Sequence, residues 1–179
     1  MKHILLINGS GSRESSNEKI ILRLREQLAG EFEISLVVDL KILPHFDPEL
    51  SSGQPPEAVI RFRSQIEKAD GVIICTPEYV FSIPSGLKNA LEWCVATTVF
   101  SDKPTGLITA SAGGEKGHEE LQLIMRTIMA KFNEQTTLLI PGVRGKFNAE
   151  GQLTDIGVVR QLINFKNAFV ELLQRETGR

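Results

Sequence analysis

Gly71 to Trp93 reads GVIICTPEYVFSIPSGLKNALEW, and it lays out strand, loop and helix in one line. Val72 to Thr76 is apolar without alternation, which predicts a strand covered on both faces. Pro77 stiffens the chain just past that strand and has no N–H to donate. Pro84 fits the first turn of a helix. Leu87, Ala90, Leu91, Cys94 and Val95 then fall on one helical stripe. In an open α/β sheet, ligands bind where strands deliver their carboxyl ends to loops. The Pro77-Glu78-Tyr79-Val80-Phe81 loop stands at such an edge.

Working outward, the same unit recurs along the chain. His3 to Ile7 is another continuous apolar run, stopped by Asn8-Gly9-Ser10. Ile21, Leu24 and Leu28 line a helix that ends near Gly30. Glu33 to Leu40 contains a second strand whose partial alternation places it toward a sheet edge. Lys41 to Pro56 carries four prolines (Pro44, Pro48, Pro55 and Pro56), so a long helix or central strand is excluded and an irregular segment is expected. Val59, Phe62, Ile66 and Ala69 line the next helix. Gly106 to Ala110 is a fourth strand, followed by Ser111-Ala112-Gly113-Gly114. Leu121, Ile124, Met125, Ile128, Met129 and Phe132 line a helix in which both methionines fill core gaps. Thr137 to Ile140 is a fifth strand, stopped by Pro141-Gly142. Leu162, Phe165, Phe169 and Leu172 or Leu173 line a last helix, with Asp155 near its start.

Five strands alternating with five helices predict an α/β fold, a parallel sheet covered on both faces. Right-handed crossovers and strand number fit a flavodoxin-like three-layer sandwich with strand order 2-1-3-4-5. The switch point then falls between the first and third strands. Residues 1–179 form a single domain in this reading, with no linker or repeat.

Composition narrows the function classes. A net charge of −2 and a pI near 6.0 point to neither a nucleic-acid nor an anionic-membrane partner. No apolar run approaches the roughly 20 residues of a membrane span. The chain opens directly on a strand rather than a signal segment, so a cytoplasmic location is expected. Cys75 and Cys94 form no CxxC pair and read as core-filling residues. His3, His45 and His118 show no ligand spacing, so no metal site is expected.

Asn8 to Asn17, NGSGSRESSN, lies between a strand and a helix N-terminus. A phosphate there would meet free backbone N–H groups and the positive end of the helix dipole. Ser10, Ser12, Ser15 and Ser16 add hydroxyls, Asn17 an amide and Arg13 a charge. The loop is not a Walker A loop, since Gly-Lys-Ser/Thr is absent, and it lacks the third glycine of a dinucleotide fingerprint. The alternative is a plain strand-to-helix loop with Ser16 or Asn17 as N-cap. Backbone groups of Pro77 to Phe81 could bond the polar edge of a planar ring whose face Tyr79 and Phe81 cover. Alternatively, those aromatics pack a rim or a subunit contact. Ser111, Gly113 and Gly114 offer either close backbone approach for a flat ligand or a simple turn.

These stretches together resemble the NADPH-dependent FMN reductase family, which includes quinone, azo-dye and chromate reductases. The family's first loop reads roughly G-S-x-R-x-x-S-x-N. Gly9, Ser10, Ser15 and Asn17 match it, whereas Ser12 takes the arginine position and Arg13 is displaced by one. The second reads P-E-Y-N-x-S-x-P-G-x-L-K-N-A-[IL]-[DE]-W. Pro77, Glu78, Tyr79, Ser82, Pro84 and the run Leu87 to Trp93 match, while Val80 replaces Asn and Ser85 replaces Gly. Leu43-Pro44 and Phe147 to Gly151 also resemble family stretches. The resemblance implies FMN as cofactor, its phosphate held by Ser10, Ser15 and Asn17, and its ring by Pro77 to Phe81 and Ser111 to Gly114. It implies NADPH or NADH as co-substrate, a small-molecule acceptor, a ping-pong cycle and a homodimer or homotetramer. No side chain need act as acid or base, so no catalytic residue is named. For the oligomer, Trp93-Cys94-Val95 and Val99-Phe100 form an apolar segment that a monomer would expose. The alternatives are a flavodoxin-like electron carrier without nicotinamide turnover and a degenerate member with an interaction role.

Overall fold

A computed structural model describes residues 1–175. Its five-stranded sheet has the order β2-β1-β3-β4-β5. The strands are β1 (His3–Asn8), β2 (Glu33–Val37), β3 (Gly71–Thr76), β4 (Thr105–Ala110) and β5 (Thr137–Ile140), and every pairing is parallel. The expected topology is therefore present, with β2 on an edge. β3 and β4 are buried at every residue, as runs without alternation require.

The pleat sends successive side chains to opposite faces, and two cores result. Leu5, Ile7, Val72, Ile74 and Leu107 face α3 (Glu57–Lys68), α4 (Ser85–Glu92) and α5 (Glu115–Thr127). Ile4, Leu6, Ile73, Cys75 and Ile108 face α1 (Ser16–Leu28) and α6 (Ile156–Arg175). Gly106 shows how tightly the second core closes, because a Cβ there would lie 2.6 Å from the Phe165 ring.

The structure departs from the sequence reading in three places. The proline-rich segment contains a sixth helix, α2 (Pro48–Ser52). Asp47 caps it by accepting from the Glu49 and Leu50 N–H groups, and Pro48 occupies the first turn, where its missing N–H costs nothing. The prolines bar a long helix but not this short one. Next, α5 stops at Thr127. Met129 has a left-handed φ of +62° and is 57% exposed, so only Met125 is a core gap-filler. The helix ends in a Schellman motif, with the Met129 and Ala130 N–H groups bonded back to the Arg126 and Met125 carbonyls at 3.0 and 2.9 Å. The Met129 carbonyl then accepts the Asp102 N–H at 2.9 Å, joining this corner to the segment before β4. Finally, Trp93, Cys94 and Phe100 are buried within the chain's own core, and of the apolar segment after α4 only Val95 is largely exposed. That segment gives no reason for a second subunit.

Candidate active site

Gly9 continues the β1–β3 pairing by donating its N–H to the Cys75 carbonyl at 2.8 Å. A Cβ at Gly9 would lie 2.7 Å from Thr76 Oγ1 and 2.8 Å from Leu87, so only glycine lets this loop sit against the third strand. Buried Asn8 then accepts the Ser10 N–H at 3.0 Å and turns the chain. Ser15, rather than Ser16 or Asn17, is the N-cap of α1, accepting the Glu18 N–H at 3.1 Å. Asn17 is buried, and its amide donates to the Ala110 carbonyl at 3.1 Å while its oxygen faces the Cys75 thiol at 3.3 Å. Its side chain ties the first turn of α1 to β3 and β4. What α1 turns toward solvent is its row of first-turn N–H groups and the serine hydroxyls.

The second loop meets the first through Tyr79. The phenol oxygen lies 3.4 Å from both Ser10 Oγ and Ser12 Oγ. Burial alone would raise this phenol, but hydrogen bonds from Ser10, Ser12 and the Gly11 backbone, with the charge of Lys41, bring it below its ordinary value. Two serine hydroxyls of the first loop thus meet the Tyr79 phenol at the loop's mouth. Past it, Tyr79 and Ser82 exchange backbone hydrogen bonds of 2.8 and 3.1 Å, enclosing Val80 and Phe81 with φ of +53° and +59°. This two-residue turn with both central residues left-handed is type I′. Val80 and Phe81 stand out from it, 94% and 79% exposed.

Glu78 turns its side chain away from the crevice. Its Oε2 accepts the Gly117 N–H at 2.8 Å, and the Ser111 hydroxyl donates to its carbonyl at 3.3 Å. The N-cap of α5, Gly114 (φ +110°), makes no side-chain cap bond, so Glu78 serves that helix end from another loop. A Cβ at Gly117 would lie 3.1 Å from the Glu78 Cβ, which accounts for a glycine inside a helix. Glu120 likewise accepts the Ile83 N–H at 3.2 Å.

The second half of the Gly71–Trp93 stretch does different work. Asn89 donates to the Pro44 carbonyl at 2.9 Å and accepts the Phe46 N–H at 2.7 Å. Trp93 Nε1 donates to the same Pro44 carbonyl at 2.8 Å, and its ring meets Phe46 edge-on at 5.4 Å. Arg63 bonds the Trp93 carbonyl and Ser51. These residues fasten the proline-rich segment to α3 and α4.

The loops enclose a crevice of about 800 Å³ at the carboxyl ends of β1, β3, β4 and β5. Of the predicted site residues, Ser10, Ser12, Arg13, Ser15, Ser16, Asn17, Pro77, Glu78, Tyr79 and Ser111 line it. Val80, Phe81, Gly113 and Gly114 lie outside the lining, the first pair at the exposed turn and the second entering α5. A fourth loop, Gly142 to Gly145, completes the wall and was not picked out from the sequence. It is pinned by Gly142 N–H to Ala112 O at 2.9 Å and Val143 N–H to Ser111 O at 3.1 Å. Its only sequence signal was the Pro141-Gly142 strand stop.

Other reactive groups are withdrawn from the crevice. Burial pushes both thiols up, that of Cys94 to about 12. His118 Nδ1 lies 2.9 Å from Thr109 Oγ1, and burial lowers its pKa. Among the described residues no cluster of His, Cys, Asp or Glu could hold a metal, and no helix is long and apolar enough to cross a membrane.

The donor set fits a flavin mononucleotide. Hydroxyls, the N-terminus of a 13-residue helix and guanidinium groups suit a phosphate. The backbone around Pro77 and Ser111, with Tyr79, suits a planar ring with polar edges. The size is ordinary for a cofactor cleft.

Comparisons with known proteins agree. The sequence model for NADPH-dependent FMN reductase matches residues 2–144. The NADH:(hydroxy)cinnamate reductase subunit CrdA of Vibrio ruber is 30% identical, over 97% of this chain and 91% of its own length. A quinone reductase of Pseudomonas putida is 28% identical, over 85% of this chain and 84% of its own. Among solved structures, the flavoenzyme NAD(P)H:(acceptor) oxidoreductase FerB of Paracoccus denitrificans superposes with a TM-score of 0.78 at 26% identity, covering 98% of both chains.

Proposed function

The chain belongs to the NADPH-dependent FMN reductase family, and from that premise we propose that it passes reducing equivalents from NADPH or NADH, by way of FMN, to a small-molecule acceptor, a quinone first among the candidates. The observation that carries this reading is the convergence of the Ser-rich loop, the Pro77–Tyr79 loop and the β4 loop on one crevice at the β1/β3 switch point. When bound, FMN supplies the acceptance and donation of hydride, so the nicotinamide and the acceptor are used in turn. Ser10, Ser12 and the first turn of α1 bind the phosphate end. Pro77, Tyr79 and the backbone about Ser111 fix the ring. No side chain needs to move a proton: the Glu78 carboxylate is engaged by Gly117, and the Cys75 thiol is held protonated by burial.

The purified protein is expected to be yellow, or to bind added FMN at micromolar concentration, and to bleach anaerobically with NADPH. Parallel lines in double-reciprocal plots of NADPH against a quinone would support the ping-pong order. A colourless protein that binds FMN no more tightly than millimolar would sink the proposal. The homodimer or homotetramer and the cytoplasmic location expected from the sequence belong to the same proposal, and sedimentation at micromolar concentration tests the first.

A further inference from the structure

Two guanidinium groups line the crevice, Arg13 and Arg144. Both residues are exposed, and neither side chain makes a hydrogen bond or ion pair with another described residue. Lys146, two residues on, is by contrast committed to Asp155 at 2.8 Å. The two arginines differ in how firmly they are held. Arg13 lies in the exposed part of the first loop, beside Glu14 with its left-handed φ of +52°. Arg144 sits on a turn fixed on both sides. Gly142 and Val143 are bonded to the loop that follows β4, the Val143 side chain is buried, and Gly145 N–H closes the turn onto Gly142 O at 3.0 Å.

The position of that turn says which end of a ligand it faces. The carbonyl of Ala110 takes Asn17, from the first turn of α1, while those of Ser111 and Ala112 take Val143 and Gly142. Three consecutive carbonyls thus seat the start of α1 and the Arg144 turn side by side. Val143 also packs into the same core as Ile20 and Ile21 of α1, whereas Ile83, just past the Tyr79–Ser82 turn, packs on the opposite side of the sheet. Arg144 is therefore next to the helix N-terminus and the serines, on the phosphate side of the crevice. Ser12 stands where the family pattern has arginine, and the first loop's cation, Arg13, is displaced by one onto its exposed part.

We propose that Arg144 supplies the charged contact to the FMN 5′-phosphate, so that the phosphate subsite is shared between the loop after β1 and the turn after β5. The inference rests on the FMN reading and adds to it a residue from outside the recognised motifs. A guanidinium on a fixed turn offers its forked donors to a phosphate with only its own side chain left to order.

The test compares FMN with riboflavin, which lacks only the phosphate, by fluorescence quenching of each flavin on titration with flavin-free protein. Arg144→Ala is expected to weaken FMN by about tenfold to a hundredfold and to leave riboflavin unchanged. Arg144→Lys should recover part of the loss, and the salt dependence of FMN binding should flatten in Arg144→Ala. Arg13→Ala should cost less than Arg144→Ala. Equal losses for FMN and riboflavin would overturn the assignment, as would an unchanged FMN affinity or a larger FMN-selective loss in Arg13→Ala. If the unsubstituted protein bound neither flavin, the FMN reading would fall and the assignment with it. If it bound FMN and only the Arg144 pattern failed, the FMN reading would stand.

Discussion

Val80→Asn should make the flavin-free protein more stable by about 1 kcal/mol. Val80 and Phe81 occupy the two central positions of a type I′ turn, with φ of +53° and +59°. A left-handed backbone costs an L-residue with a Cβ roughly 1–2 kcal/mol, and a β-branched residue is least suited to it. Asparagine adopts that region readily and is favoured at the first central position of such turns. Little is lost in exchange, because Val80 is 94% exposed and the burial of its remaining surface is worth about 0.2 kcal/mol or less. For a domain of this size a gain of 1 kcal/mol raises the melting temperature by about 2–4 °C. Urea unfolding followed by circular dichroism should show a higher midpoint with an unchanged slope. Val80→Gly also relieves the strain but enlarges the unfolded ensemble, so it should fall between the natural protein and Val80→Asn. If neither substitution raised the midpoint, the turn would carry no strain and the reasoning would be refuted.

Glu78→Ala should destabilise the chain by about 1–2 kcal/mol in the same urea assay, since it removes a charged acceptor from the N-terminal turn of α5. Asn89→Ala strips partners from both Phe46 N–H and Pro44 O, so limited proteolysis between residues 43 and 56 should accelerate; an unchanged cleavage rate would show that Trp93 and Arg63 hold the segment without it. His118 has a folded pKa held below 6.5 by burial. The unfolded chain therefore takes up this proton first on acidification, so the stabilising contribution is complete above about pH 6.5 and is lost as pH falls from there through the folded value. Urea midpoints at pH 7.5 and 5.5 should differ less in His118→Gln than in the natural protein.

The parallel sheet was legible because apolar runs such as Ile4 to Ile7 and Val72 to Cys75 leave no face for water. The three loops that the sequence placed at strand ends do border one crevice, because Gly9, Pro77 and Ser111 each directly follow a strand. Helix ends were harder to read. Ile128 and Met129 continue the apolar spacing of α5, and the helix stops first because Met129 takes the left-handed position of a Schellman end, a place where glycine would have signalled the stop and methionine does not. Exposure was misread for a similar reason: Trp93 and Phe100 look like an apolar end to a helix until the fold shows the core they fill. Arg144 was hidden because Val143-Arg144-Gly145 carries no motif, and only the β4–β5 pairing brings it beside α1.

The Gly71–Trp93 stretch joins two tasks that the linear motif does not separate. Pro77 to Tyr79 lines the crevice, and the loop from Glu78 to Ile83 is braced from α5 by Gly117 and Glu120. Asn89 and Trp93, on the helix that follows, hold Pro44 and Phe46. One departure from the family pattern, Val80, falls at the turn and the other, Ser85, at the start of α4, while the anchoring residues Asn89 and Trp93 match the pattern. A β-branched residue at a left-handed position is tolerable only where the surroundings over-determine the backbone. Here the Tyr79–Ser82 bond pair, the Tyr79 phenol held by two serines, and the Glu78 and Glu120 braces provide that constraint. The turn can therefore present two apolar side chains to solvent where the family pattern begins with asparagine. The substitution leaves the fold intact, because Val80 and Phe81 reach solvent and contribute little to either core.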